Sequence, residues 1–277
     1  MNLLLIYNTL SGKRKINKEI NYIENKLSQK YECDKYSPND GELIRDYIKN
    51  LGKKYDIFVS IGGDGTLHSV VLGIMELDYN PIVAIIPFGT LNDMAKGFNI
   101  NKNLDKNIEL ILNMSNIVDH KIYKINDTYM VYSFALGLCV EASFIKHKRF
   151  GTLSYYLSVL KHFIKGKNSH LKLYIDDQII EKNIKTLIIT DSYRIAGYKI
   201  KKTNHLRIYI LKCLKILFPF KLWMLFLRSK TKYMFEADKI EIESSNKIFN
   251  IDGEKYLCEG NIKIGYFKSL KFITNRR

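Results

Sequence analysis

The sequence predicts two domains: an α/β domain with a parallel sheet, then an antiparallel β-sandwich domain with an inserted helix. Three observations predict this. Short apolar runs alternate with helical periodicity up to about residue 120. Beyond that point, short strands are separated by polar turns. A glycine-rich turn, residues 62–66, falls where a strand passes into a helix.

Residues 3–7, 55–61 and 82–86 are apolar runs bounded by polar residues, and they read as buried strands. Ile16, Ile20, Ile23 and Leu27 keep helical spacing. So do Leu43, Tyr47, Ile48 and Leu51, then residues 70–75, then Leu104, Ile108, Ile111 and Leu112. Such alternation predicts a parallel sheet covered on both faces. Ligands of these sheets sit at the carboxyl ends of the strands.

The texture changes after Asp119. Residues 121–125 and 129–134 flank Asn126-Asp127-Thr128, a hairpin signal. Residues 171–175 and 178–181 flank Asp176-Asp177. Ile240 and Ile242 and then residues 248–251 flank Ser244-Ser245-Asn246. Leu153, Leu157, Leu160 and Ile164 share one helical face and interrupt the strands. The expected domains are 1–120 and 121–277, with the last residues returning to the first domain.

The chain of 277 residues is 46% apolar, enough for real cores, and carries a formal charge of +16. The excess is regional. Residues 142–175 hold seven Lys or Arg and no acid, and residues 192–235 hold eleven and again no acid. A charge so placed argues for a surface that meets an anionic partner. Cys33, Cys139, Cys213 and Cys258 lie far apart without C-x-x-C spacing, which reads as reduced thiols of a cytosolic protein. The first apolar run is too short for a signal peptide. Residues 211–227 are interrupted by Lys212, Lys215 and Lys221 and are not expected to span a bilayer.

The chemistry concentrates in three turns. Gly62-Gly63-Asp64-Gly65-Thr66 lets the backbone approach a ligand and aim its N–H groups at it. The helix behind it favours negative charge, so phosphate is the natural guest. Asp64 would repel phosphate unless it serves a metal ion or takes a proton. The second turn is Pro87-Phe88-Gly89-Thr90-Leu91-Asn92-Asp93, and its loop is expected beside the first, with Thr90, Asn92 and Asp93 lining the same cleft. The third, Ile251-Asp252-Gly253-Glu254, is by itself an ordinary turn between strands.

GGDGT, PFGTLND and IDGE, in this order and spacing, resemble the diacylglycerol kinase catalytic family of soluble bacterial lipid kinases, which also includes sphingosine and ceramide kinases. Asn8-Thr9-Leu10-Ser11-Gly12, Phe134-Ala135-Leu136-Gly137 and Gly151-Thr152-Leu153-Ser154-Tyr155 extend the likeness over nearly the whole chain. GGDGT alone is shared with NAD kinases and phosphofructokinase-like enzymes. The resemblance implies a nucleotide-binding α/β domain, a β-sandwich domain and a reaction between ATP and a lipid hydroxyl with Mg2+. By position, Gly62, Gly63, Gly65 and Thr66 would hold phosphates, and Asn8, Ser11, Gly12, Thr90 and Asn92 would border the nucleotide. Asp64 and Asp93 would organise magnesium. Glu254 would be the base. Asp64 stays open as the alternative base; Glu254 is favoured because Asp64 is closer to the phosphates. Phosphoryl transfer needs mainly positioning, charge neutralisation and one proton acceptor.

Three departures from the family pattern stand out. Ser69 replaces an acid after the first motif. Asn8-Thr9 replaces an Asn-Pro pair. Asn204-His205 replaces an Asp-Gly pair near a structural magnesium site of some relatives, which puts that ion in doubt here. Plainer readings compete. Asp93 could be a helix N-cap, Glu254 a solvated hairpin acid, and His68 a helix-surface or capping residue.

Lys212, Lys215 and Lys221 interleave with a large apolar content, and Trp223 suits a membrane boundary, so this segment reads as an interfacial element. Each Lys near an anionic surface contributes about 1 kcal/mol. Lys146, Lys148 and Arg149 would face a substrate phosphate or headgroup. The expected protein is a cytoplasmic, peripherally membrane-bound lipid kinase acting on diacylglycerol or a related lipid. The family pattern allows a homodimer. The rivals are an NAD kinase and a non-catalytic lipid or nucleotide sensor on the same fold. The basic stretches contain no nucleic-acid-binding motif.

Overall fold

The computed structural model describes residues 1–9, 16–38, 43–51, 54–137, 140, 169–176, 178–184, 186–195, 197–200, 203–211 and 235–276. The expected helix over residues 153–164 lies outside them. The chain divides into two compact units, Met1–Ile122 with Lys268–Arg277, and Tyr123–Phe267.

The first unit is built on parallel strands β1 (Asn2–Tyr7), β2 (Glu32–Tyr36), β3 (Ile57–Gly62) and β4 (Ile82–Pro87), in the order β2-β1-β3-β4. Helix α1 (Ile16–Leu27) buries the four residues of its expected stripe. With Ile108 and Ile111 of α5 (Leu104–Leu112) they cover Leu3, Leu5, Ile57, Val59, Ile61, Ala84 and Ile86. Leu4, Ile6 and Phe58 take the alternate positions and are equally buried. This is why these strands read as continuous apolar runs. Helices α2 (Ile44–Lys49) and α3 (Asp64–Met75) pack closely, since a Cβ on Gly73 would lie 2.6 Å from Ile48.

One expectation is corrected here, and one strand is added. Helix α2 buries Ile44 and Ile48, whereas Leu43 precedes the helix and is exposed. Strand β2 has no apolar run because it is an edge strand with mostly exposed or half-buried side chains.

The second unit is an antiparallel sandwich. One of its sheets orders the early part of β18 (Ile262–Ile273), then β15 (Lys239–Ser244), β8 (Ser169–Ile175) and β9 (Gln178–Ile184). Strand β5 (Ile117–Ile125) pairs with β18 and with β6 (Thr128–Met130). The facing sheet runs β14 (Phe235–Ala237), β13 (Leu206–Leu211), β10 (Thr186–Thr190), β7 (Ser133–Gly137), β16 (Ile248–Ile251) and β17 (Glu254–Leu257). Side chains from both sheets form one core, including Phe134, Leu173, Ile189, Ile208, Ile242 and Phe249. A small hairpin, β11 (Arg194–Ile195) with β12 (Tyr198–Lys199), follows β10.

The expected hairpins at Asn126 and Asp176 are present. The third pairing is different: β15 and β16 belong to opposite sheets, so Ser244-Ser245-Asn246 begins a crossing between layers. Residues 129–134 also form two strands with a break at Val131 and Tyr132. Strand β18 continues into the first unit, where Lys271 and Phe272 pair with Ile82 and Val83 of β4. Among the described residues, no helix is long and apolar enough to cross a membrane.

Candidate active site

The strand order of the first unit reverses between β1 and β3, and the crevice at such a switch point is where doubly wound sheets bind ligands. Asn8 follows β1 there, level with Gly62, because Tyr7 pairs with Ile61. At the end of β3, the Gly62 carbonyl accepts the N–H groups of Phe88 and Gly89, at 2.8 and 3.1 Å. The first two motifs are thereby fastened together. A Cβ on Gly89 would lie 2.5 Å from the Cα of Gly63 and 2.6 Å from Asn92 Oδ1. Only glycine at position 89 permits this approach of backbone to backbone.

Gly63 caps α3, and its carbonyl accepts Leu67 N–H at 3.2 Å. The first-turn N–H groups of such a helix have no intrahelical acceptor and can receive an oxyanion. Asp64 opens the helix. Its carboxylate accepts the N–H of Asp93 at 3.1 Å and of Met94 at 3.3 Å, at the start of α4 (Asp93–Gly97). Asn92 precedes that helix with φ 51°, in the left-handed region. Its Nδ2 donates to the Gly89 carbonyl at 2.7 Å, while its buried Oδ1 meets no donor.

The structure thus brings Gly62, Gly63, Asp64, Gly65, Thr66, Thr90, Asn92 and Asp93 onto two adjoining loops. Thr66, Asn92 and Asp93 are buried and Thr90 is exposed. Asn92 takes the N-cap position and Asp93 the first helical one, so Asp93 is not the cap. His68 is buried in α3, which corrects the expected surface or capping place. Ser11, Gly12, Lys146, Lys148, Arg149, Lys212, Lys215, Lys221 and Trp223 lie outside the described residues.

Glu254 belongs to the second unit. It is exposed and begins β17, opposite Ile251. Asp252 and Gly253 form the two-residue turn between, both with positive φ, 54° and 97°. That is the type I′ pattern favoured in tight hairpins. Asp252 is 1% exposed, and its carboxylate accepts three successive N–H groups: Val131 at 2.7 Å, Tyr132 and Ser133 at 2.8 Å each. The side chain thereby satisfies the backbone where β6 and β7 part. At the substituted loop, His205 Nδ1 lies 3.0 Å from Asp238 Oδ1.

Two further residues carry no sequence signal for their place. Asp252 reads from the sequence only as a turn residue. Ser37, just after β2, buries a hydroxyl with no partner. It follows a polar edge strand that leaves no apolar signal.

The family model for the diacylglycerol kinase catalytic domain matches residues 2–122. A Staphylococcus haemolyticus protein named "Putative lipid kinase SH2167" is 31% identical over 207 residues, 71% of this chain and 67% of that one. The chain belongs to the diacylglycerol kinase-like family of lipid kinases. A Staphylococcus aureus (strain JH9) member of this kinase family, "Putative lipid kinase SaurJH9_0749", is 30% identical over 73% of this chain and 69% of its own. The crystal structure of a diacylglycerol kinase from Bacillus anthracis str. Sterne shares the fold, with a TM-score of 0.81 at 18% identity, covering 99% of this chain and 97% of that one.

Proposed function

We propose that this protein is an ATP-dependent lipid kinase that phosphorylates the free hydroxyl of diacylglycerol or a related lipid. The observation that carries this reading is the pairing of the two loops, with the Gly63 backbone against Gly89 and the Asp64 carboxylate on the start of α4. In this reading the turn at residues 62–66 cradles the ATP phosphates through N–H groups of α3. Asn8 and Asn92 border the nucleotide. Asn92 Oδ1, buried and without a donor, is available to accept from a ligand.

Asp64 and Asp93 fit a Mg2+ ion that arrives with the nucleotide. Such ions take one or two protein carboxylates and complete their shell with phosphate and water. Among the described residues, no three His, Cys, Asp or Glu side chains group to hold a metal by themselves. When bound, the ion neutralises charge on the phosphates. Glu254 is assigned the proton of the lipid hydroxyl by the family pattern, a role that needs an acceptor rather than a covalent nucleophile.

The lipid, the anionic membrane surface, the cytoplasmic location and a homodimer belong to this proposal. The acid-free basic stretches support the membrane contact. The test is a lipid panel. Purified protein with ATP and Mg2+ is offered diacylglycerols, sphingoid bases and phosphatidylglycerol in anionic mixed micelles. Labelled phosphatidic acid is expected. No labelled lipid from any acceptor would overturn the reading.

A further inference from the structure

Strand β13 alternates between two environments. Leu206, Ile208 and Ile210 enter the sandwich core, which leaves Arg207 and Tyr209 on the outer face of that sheet. There Tyr209 packs with Ile188 of β10 and Ile195 of the small hairpin. Arg207 is completely buried. Its Nη2 donates to the Ser192 carbonyl. The Tyr209 hydroxyl is the polar group beside the guanidinium, and its Nε and Nη1 are buried without an acceptor in hydrogen-bond geometry.

Its cross-strand neighbours do not supply one. Thr190 on β10 spends its hydroxyl proton on the Tyr132 carbonyl at 2.6 Å. Glu236 on β14 is opposite in register, yet among the described residues Arg207 makes no ion pair. A guanidinium does not deprotonate in a protein. Burying it with most of its N–H groups unsatisfied is strongly unfavourable unless an anion completes it. The hairpin carries Arg194 and Lys199, and residues 192–235 contain no acid, while buried Asp191 and the facing Glu236 flank that run.

We propose that Arg207 anchors a second oxyanion site, in the second unit, for the phosphate group of a phospholipid headgroup or for free inorganic phosphate. Its unfilled N–H groups donate charge-assisted hydrogen bonds to the phosphate oxygens. The small hairpin packs on the same face, with Ile195 against Tyr209. The site shares no residue with the glycine cradle and binds a phosphate that is not being transferred.

The whole protein is melted in rising inorganic phosphate, in sodium chloride of equal ionic strength, and with dioctanoyl phosphatidic acid. The wild type is expected to gain thermal stability saturably with phosphate or with the lipid, and not with chloride. Saturation by inorganic phosphate assigns a free anion, and saturation by the lipid alone assigns a headgroup. Arg207→Gln is expected to lose the gain, while matching or exceeding the wild type without anion. Arg207→Lys keeps the charge and serves where Arg207→Gln does not fold. It is expected to weaken binding by about tenfold or more, because a point charge replaces a planar fork. No saturable gain in the wild type, or equal binding by both proteins, overturns the proposal.

Discussion

The Asp64 carboxylate holds the backbone of Asp93, accepting its N–H at 3.1 Å while also accepting that of Met94. An acid in the first glycine motif therefore shapes the second. Asp64→Ala is expected to lose about 1–2 kcal/mol of stability, the usual cost of removing a helix cap that is partly buried. It should lose nucleotide affinity as well, since α4 would no longer be held in place. Urea unfolding with a nucleotide titration checks both. An unchanged unfolding midpoint would show that the cap is idle.

Gly89 has a Cβ-sized space already filled by the backbone of Gly63. Gly89→Ala must push the two loops apart, at a cost of about 1–3 kcal/mol, as in other overpacked sites. Weaker ATP binding should accompany it. Calorimetric binding of ATP by this variant at full stability and full affinity would refute the close-approach argument.

Asp252→Ala would leave three backbone N–H groups without their acceptor. With charge-assisted bonds worth about 1.5–3 kcal/mol each and not additive, a loss of about 3 kcal/mol or more is expected. Asp252→Asn should fall between. Chemical denaturation ranks the three proteins, and a cost below that of an ordinary surface change would contradict the anchoring role.

Glu254 is exposed, two residues from that anchor. Glu254→Gln is expected to change stability by less than about 0.5 kcal/mol. Turnover should fall by about 10²–10⁴-fold, the range for a lost general base. Lipid phosphorylation rates measured beside unfolding curves separate this from Asp252, whose loss acts through the fold.

Asp34 accepts from the Tyr55 hydroxyl at 2.6 Å and from Lys54 Nζ at 2.9 Å. These partners, Tyr55 foremost, hold its carboxyl below the ordinary aspartate range. A lowered value in the folded state stabilises at neutral pH, and the contribution disappears as pH falls through it. The wild type should therefore lose more stability than Tyr55→Phe between neutral pH and about pH 3, below the free-aspartate value of about 3.9. Parallel urea midpoints across that range would exclude the linkage.

Much of the fold was legible because burial leaves periodic marks. The strands of the first unit are apolar on both faces, and the α1 stripe survives intact. Strand β2 escaped because an edge strand need not be apolar. The separation of β15 from β16 escaped because Ser244-Ser245-Asn246 carries no sign of which sheet the next strand joins. The site was legible at its glycines, whose spacing is a backbone requirement. The use of Asp64 as a cap and of Asp252 as an anchor was not legible. Both depend on N–H groups 30 and about 120 residues away, which no local pattern records.

Strand β18 serves β15 in one unit and β4 in the other. During synthesis the first unit cannot complete its sheet when residue 122 emerges, because Lys271 and Phe272 are still unmade. At the usual pace of about 5–20 residues per second, the edge of β4 waits roughly ten seconds or more for its neighbour. An unpaired edge is a template for wrong partners. Nascent chains therefore carry an unpaired β4 edge until Lys271 and Phe272 are made, and products cut short before residue 268 lack the strand that pairs with it.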